Sequence, residues 1–265
     1  MVIIDKEKCI LCGMCVKDCF PENLFIEENK VHVKGSCMQC GHCIAICPAN
    51  AVSIDDYPME EVKEYTKEEF FISSENLLNF IKFRRSIRHF KNKAISKELL
   101  EKVIEAGRYS PTGANRQDIT YTVIQDSLGE FKPIVWESLY QLALKNTDEN
   151  GLVAVYAKKW IEMYQNYKKN QGDYLFFQAP VMIVVSALLP LNGALAASKI
   201  ELMANTFGLG VLFSGFIETA IKDNEEIKKF LGVGKKEIVA CMLMGYPNII
   251  FKRTAPRKKT QIRWK

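Results

Sequence analysis

Between Leu175 and Leu189 the chain reads LFFQAPVMIVVSALL, an apolar run broken by Gln178 and Pro180 and followed by Pro190-Leu191-Asn192-Gly193. It is too short for a membrane span, which needs about 20 apolar residues, and it reads as a buried strand. Apolar or β-branched runs ended by polar, Gly or Pro residues predict strands at 120–124, 181–186 and 238–244. Leu77, Leu78, Ile81 and Phe83 give a helix-like apolar face, and Ser96-Lys97-Glu98-Leu99-Leu100 opens a second helix with Ser96 as its cap. Helical patterns also fill 128–145, 153–167, 194–207 and 224–231. Strands separated by long helical segments predict a layered α+β or α/β domain.

The first part of the chain lacks this pattern. Eight of the nine cysteines fall between Cys9 and Cys47, and Asp55-Asp56-Tyr57-Pro58 leads into a charged run over 59–69. These features divide the chain into a domain over 1–56, a linker over 57–74 and a larger domain over 75–265. Charge follows the same division. Residues 1–56 hold five lysines and eight acidic residues, net −3, so with +5 overall the remainder carries +8. A 265-residue chain with 48% hydrophobic and 25% charged residues suits globular material rather than disorder. Met1 to Lys8 has no apolar run of signal-peptide length, so a cytoplasmic protein is expected.

Cysteines in a reducing compartment point to metal rather than disulfides. Cys9, Cys12, Cys15 and Cys19 form C-x2-C-x2-C-x3-C; Cys37, Cys40, Cys43 and Cys47 repeat it, with Pro48 after the last. This is the spacing of bacterial 4Fe-4S runs, in which the fourth Cys ligates the other cluster. One cluster then takes Cys9, Cys12, Cys15 and Cys47, and the second takes Cys37, Cys40, Cys43 and Cys19. Two tetrahedral zinc sites are the alternative, but they leave the third and fourth Cys of each run unexplained. Cys241, in the apolar stretch Ile238-Val239-Ala240-Cys241-Met242, reads as a small core residue. His32, His42 and His89 are not read as ligands. Residues 1–56 resemble two-cluster bacterial ferredoxins, with one departure at Cys19-Phe20-Pro21, where the family has Pro directly after the Cys.

Three segments of the larger domain carry further chemistry. Arg84-Arg85-Ser86-Ile87-Arg88-His89-Phe90 offers fork-shaped donors suited to phosphate. Ser110-Pro111-Thr112-Gly113-Ala114-Asn115-Arg116-Gln117 is a loop of small and amide residues, and Gly245-Tyr246-Pro247 leads to a basic tail from Lys252 to Lys259. In this order they resemble the RRSxRxF, SPSxxNxQ and GYP elements of the nitroreductase family of FMN enzymes. The resemblance covers about 75–265 and implies an α+β domain whose central mixed or antiparallel sheet is flanked by helices, following the small ferredoxin-like domain.

It also implies roles. Arg84, Ser86 and Arg88, with Arg85 beside them, are placed on the FMN ribityl and phosphate, and Arg257 with Lys258 completes the phosphate site. Pro111, Thr112, Gly113 and Asn115 reach the flavin of the partner subunit in a homodimer. Ser214 and Gly215 belong to a segment whose backbone amides lie near the ring, although Gly208 and Gly210 also fit plain helix termination. Asp118-Ile119 departs from the family's Pro-Trp.

The implied activity is that of an iron–sulfur flavoprotein oxidoreductase, an enzyme passing electrons from two 4Fe-4S clusters to FMN and on to a nitro compound, quinone or similar small electron-poor acceptor. Reduced ferredoxin and NAD(P)H are the candidate donors, and the sequence does not choose between them. No catalytic side chain and no proton donor is assigned. The alternative is an electron-transfer or redox-sensing module that relays electrons to a protein partner. Rossmann and P-loop motifs are absent. The tail from Lys252 to Lys265 has seven Lys/Arg and no acid, but it lacks the interleaved aromatics of an RNA binder, so neither nucleic acid nor membrane is an expected partner.

Overall fold

The computed structural model of the chain describes residues 1–146 and 152–265, and its internal contacts divide it into two units. The first comprises Met1–Ile72 together with Thr112–Arg116; the second comprises Ser73–Pro111 and Gln117–Lys265.

In the first unit, β1 (Val2–Ile4) pairs antiparallel with β4 (Val52–Ile54), so the two ends of the cysteine segment lie side by side. Between them, β2 (Leu24–Glu27) and β3 (Lys30–Val33) form a hairpin. Its two turn residues, Glu28 (φ 48°) and Asn29 (φ 54°), both take the left-handed conformation that a tight two-residue hairpin turn requires. Two short helices, α1 (Met14–Asp18) and α2 (His42–Ala45), each follow a left-handed glycine, Gly13 (φ 71°) and Gly41 (φ 74°). The repeat in sequence is therefore a repeat in structure: each Gly turns the chain after the second Cys of its run and starts the helix that carries the third. Val2, Leu24, Ile44, Val52 and Ile54 are buried with Cys15 in a small core. Residues 57–72 add a 3-10 turn (Met59–Glu61) and α3 (Lys67–Phe70), capped by the Thr66 hydroxyl.

The second unit begins with α4 (Ser74–Phe83) and α5 (Lys97–Arg108). The Ser73 and Ser96 hydroxyls accept the N–H groups of Asn76 and Leu99, which satisfies donors the first helical turn leaves open. There follow β5 (Thr120–Ile124), α6 (Leu128–Lys145), α7 (Leu152–Lys168), β6 (Val181–Ala187), α8 (Pro190–Thr206), β7 (Gly210–Phe213), α9 (Gly215–Ile221), α10 (Glu225–Leu231) and β8 (Glu237–Gly245). The strands form one antiparallel sheet in the order β5-β6-β8-β7.

Every residue of β6 is buried. Met182 and Val184 pack with Phe131, Val135 and Trp136 of α6, while Val181, Ile183 and Val185 pack with Val103 of α5 and Ile200 and Ala204 of α8. A strand covered on both faces gains nothing from polar alternation, so its sequence is apolar apart from Ser186. This is the α+β arrangement expected from the sequence, with differences. The strand within 175–189 occupies only Val181–Ala187, α8 starts at Pro190 rather than at 194, and β7 and α9 were not foreseen. Pro190 sits in the first turn, where its missing N–H costs nothing. No helix among the described residues is long and apolar enough to cross a membrane.

Candidate functional site

In the first unit the two cysteine runs converge on two concavities. One is lined by Cys9, Cys12, Cys15 and Cys47, with Ile4, Val31 and Val52 among its walls. The other is lined by Cys19, Cys37, Cys40 and Cys43, with Leu24, Val33 and Ile54. Each thus gathers three cysteines of one run and the last of the other. Burial pushes the Cys43 thiol up to about 11, helped by the neighbouring Cys40 and Cys37. Burial likewise raises Cys15, with Cys47 and Cys12 adding to it. Four thiolates in an apolar cup repel one another unless a cationic core sits among them, and four sulfur donors suit a soft metal cluster. Two thiols already accept backbone N–H bonds, Cys37 from Gln39 and Cys47 from Ala51, each at 3.3 Å. His42 faces Asp18 at 3.1 Å rather than a cysteine, and Cys241 is buried in the sheet of the second unit.

The second unit holds most of the segments read as flavin-binding. The basic run lies along the sheet edge: Ser86 bridges Val211 of β7 and Ile87 N–H donates to the Val211 carbonyl at 3.0 Å. The GYP element lies beside the same run, with Lys91 N–H donating to the Tyr246 carbonyl and Asn248 N–H to that of His89, both at 2.8 Å. Glycine makes this approach possible. A Cβ on Gly210 would meet the Ile87 side chain and lie 2.9 Å from Pro247 Cγ, and one on Gly245 would lie 2.8 Å from Phe90 Cδ1. Gly208, by contrast, takes φ 70° directly after α8 and terminates it.

Three cations of the predicted set, Arg88, Arg257 and Lys258, are exposed, and among the described residues none has an acidic partner. Arg84 and Arg85 are half-buried. Arg84 Nη1 donates to Glu201 Oε1 of α8 at 2.9 Å, a partner the sequence reading missed because 117 residues separate the two. The only local hint is a lone acid between Ile200 and Leu202 in an apolar helix. Burial pushes the Glu201 carboxyl above its usual range, while Arg84 pulls it part of the way back. Arg85 Nη1 donates to the carbonyls of Lys82 and Arg84, whereas its Nη2 is buried without a partner, as is the Ser110 hydroxyl. Orphaned buried polar atoms also occur outside these segments, at Tyr121, Trp136, Trp160 and Ser186 among others.

Ser214 N–H is already committed to the Cys241 carbonyl at 2.8 Å and its hydroxyl caps α9, while Gly215 is exposed with open space where a Cβ would be. Asp118, the departure from the family pattern, accepts from Leu188 N–H at 2.7 Å and from Asn192 Nδ2 at 2.9 Å, holding the start of α8. The 110–117 loop does not stay together. Pro111 lies in the second unit, but Thr112, Gly113 and Asn115 lie in the first.

A family model for the nitroreductase family matches residues 81–246. The chain belongs to the nitroreductase family. A 4Fe-4S dicluster domain matches residues 1–48, so a nitroreductase domain is fused to an N-terminal iron–sulfur domain. The fold agrees with solved nitroreductases: one with bound FMN from Bacteroides fragilis is 20% identical, with TM-score 0.55, over 71% of this chain and 98% of that one. Another with bound FMN, from Desulfitobacterium hafniense, is 25% identical, with TM-score 0.52, over 70% and 97%. Among curated relatives, an iodotyrosine deiodinase of Haliscomenobacter hydrossis is 28% identical over 46% of this chain and 52% of its own. An NADPH-dependent oxidoreductase of Staphylococcus aureus is 26% identical over 58% and 59%. The chain thus spans little more than half the length of these relatives.

Proposed function

We propose that this FMN-dependent oxidoreductase of the nitroreductase family draws electrons through two 4Fe-4S clusters and delivers them to a nitro compound, quinone or similar electron-poor acceptor. The observation that carries the reading is the gathering of the eight cysteines into two crossed sets of four, each around its own concavity. When bound, the clusters supply single electrons and FMN pairs them for a two-electron acceptor.

Cys9, Cys12, Cys15 and Cys47 hold one cluster, and Cys37, Cys40, Cys43 and Cys19 the other. Apolar walls limit water at both. Arg85 and Arg88, beside the edge strand, together with Arg257 and Lys258, supply the charge for the FMN phosphate, and Arg guanidinium forks suit its oxygens. Arg84 divides its donors between Glu201 and the ligand. A homodimer suits the exposed apolar face of α4, where Leu77, Leu78, Ile81 and Phe83 are 43 to 50% exposed. Such a face is a liability in a monomer.

Anaerobic purification followed by iron, sulfide and FMN analysis tests this. The expected content is about eight iron and eight sulfide per chain, from two four-iron clusters, with one FMN per chain. The dithionite-reduced protein should turn over a nitroaromatic or quinone. Near-stoichiometric zinc in place of iron, or a fully loaded protein inert toward every small acceptor, would contradict it.

A further inference from the structure

The nitroreductase-type loop has one member in an unexpected place. Asn115 Nδ2 donates to the carbonyls of Met38 at 3.1 Å and Gln39 at 2.8 Å, and lies 3.4 Å from Tyr57 Oη. These carbonyls belong to the turn between Cys37 and Cys40. The Tyr57 hydroxyl also donates to the Gln39 carbonyl, at 2.9 Å, so both lone pairs of that oxygen are engaged. All these residues lie within the first unit.

The connection to the sulfur is through a single peptide group. The Met38 carbonyl and the Gln39 N–H are its two ends: Asn115 donates to one, and the other donates to Cys37 Sγ at 3.3 Å. A donor on the carbonyl polarises the amide and strengthens the N–H···S bond at its far side. Hydrogen bonds to sulfur are among the factors that set cluster potential, because they favour the more negatively charged, reduced state. The turn needs such support. Gln39 sits at φ 52°, a left-handed conformation costly for a residue with a long side chain. Asn115 itself sits at φ 51° after Ala114 at φ 52°, and Asn tolerates that region better than most residues.

We propose that Asn115 is a positioning residue for the second cluster: it locks the Cys37–Cys40 turn, strengthens the N–H···S bond to Cys37 and raises that cluster's potential. Electrons are thereby biased toward the second cluster. This inference rests on the two-cluster reading above. If the wild-type protein holds fewer than two clusters, that reading fails before any variant is compared.

Asn115→Gly removes the side chain while suiting the left-handed backbone, and Asn115→Asp keeps the shape but replaces the donor by an acceptor. Redox titration of the anaerobic holoprotein, followed by electron paramagnetic resonance, reads both cluster potentials, and FMN dissociation is measured on the same samples. Cys40→Ser identifies which midpoint belongs to the second cluster. Both Asn115 variants should lower that midpoint and leave the other in place. Tyr57→Phe, which removes one of the two donors to Gln39 but keeps the ring, should lower the same midpoint by less. If a variant loses iron, selective loss of the second cluster's signal supports the inference. Unmoved potentials would overturn it, and a tenfold or larger loss of FMN affinity with both potentials unmoved would make Asn115 a flavin ligand instead.

Discussion

Arg84→Ala separates two jobs that one guanidinium performs. Its Nη1 bonds Glu201 Oε1 at 2.9 Å, with the Glu201 side chain 7% and the Arg84 side chain 29% exposed. Deleting the arginine leaves a carboxylate nine-tenths buried and unpaired. Breaking a buried pair from one side costs about 3–5 kcal/mol, and the low end applies because Arg84 is partly solvated and Glu201 can take up a proton. At roughly 2–4 °C per kcal/mol for a domain of this size, the second unit should melt about 6–12 °C lower.

Trp136 and Trp160, both buried in that unit, report its unfolding by fluorescence. Glu201 has its folded pKa raised by burial, so the stability it contributes is present below its unfolded value and lost as pH rises through the folded one. Without Arg84 the folded value rises further, and the deficit should be larger at roughly pH 8 than at roughly pH 5.5. Arg84→Ala combined with Glu201→Gln removes the unpaired charge and should recover most of the melting temperature with little pH dependence. If Arg84 also grips FMN, the double variant should still hold FMN more weakly by ~1.5–3 kcal/mol. Arg84→Ala melting within about 1 °C of wild type at neutral pH would refute the reasoning.

Cys19→Ser and Cys47→Ser should each damage the cluster of the opposite run, read by metal analysis and electron paramagnetic resonance; damage confined to the local run would show uncrossed ligation. Arg88→Ala and Arg257→Ala should each weaken FMN retention by ~1.5–3 kcal/mol, whereas Lys259→Ala and Lys265→Ala should cost far less; equal small losses at all four positions would reduce the basic residues to a diffuse field. Asp118→Ala should cost about 1–3 kcal/mol as lost hydrogen bonds to a charged acceptor. Burial alone would raise the Asp118 carboxyl, but the Asn192 amide and the Leu188 N–H outweigh it and hold it below the usual range. Its contribution is therefore present above the unfolded value of 3.8 and lost as pH falls through the folded one, which acid unfolding of wild type and variant would compare.

Features encoded by local pattern were legible in the sequence. The cysteine spacing leaves a place beside each closely spaced trio for a distant thiol, and in the structure Cys47 lines the hollow of Cys9, Cys12 and Cys15 while Cys19 lines that of Cys37, Cys40 and Cys43. Ser96 announced α5 through its own cap, and the apolar run announced β6. What stayed hidden depends on partners far along the chain. β7 has only four residues and begins at Gly210, whose lack of a side chain reads as a break until Ile87 and Pro247 are seen against it. Glu201 is one acid among apolar residues, and nothing near it in sequence announces Arg84. Asp118 looked like a defect in a motif, yet it holds the start of α8. The resemblance gives Asn115 a place at the flavin, and nothing near it in sequence announces its bonds to the Met38 and Gln39 carbonyls.

The most direct test of the central claim is to count electrons. Anaerobic titration of the purified chain with dithionite, followed by visible absorbance, should consume about four electrons per chain, one for each of two clusters and two for FMN. Uptake of about two electrons by flavin alone, with zinc in the cysteine sites, would contradict the account.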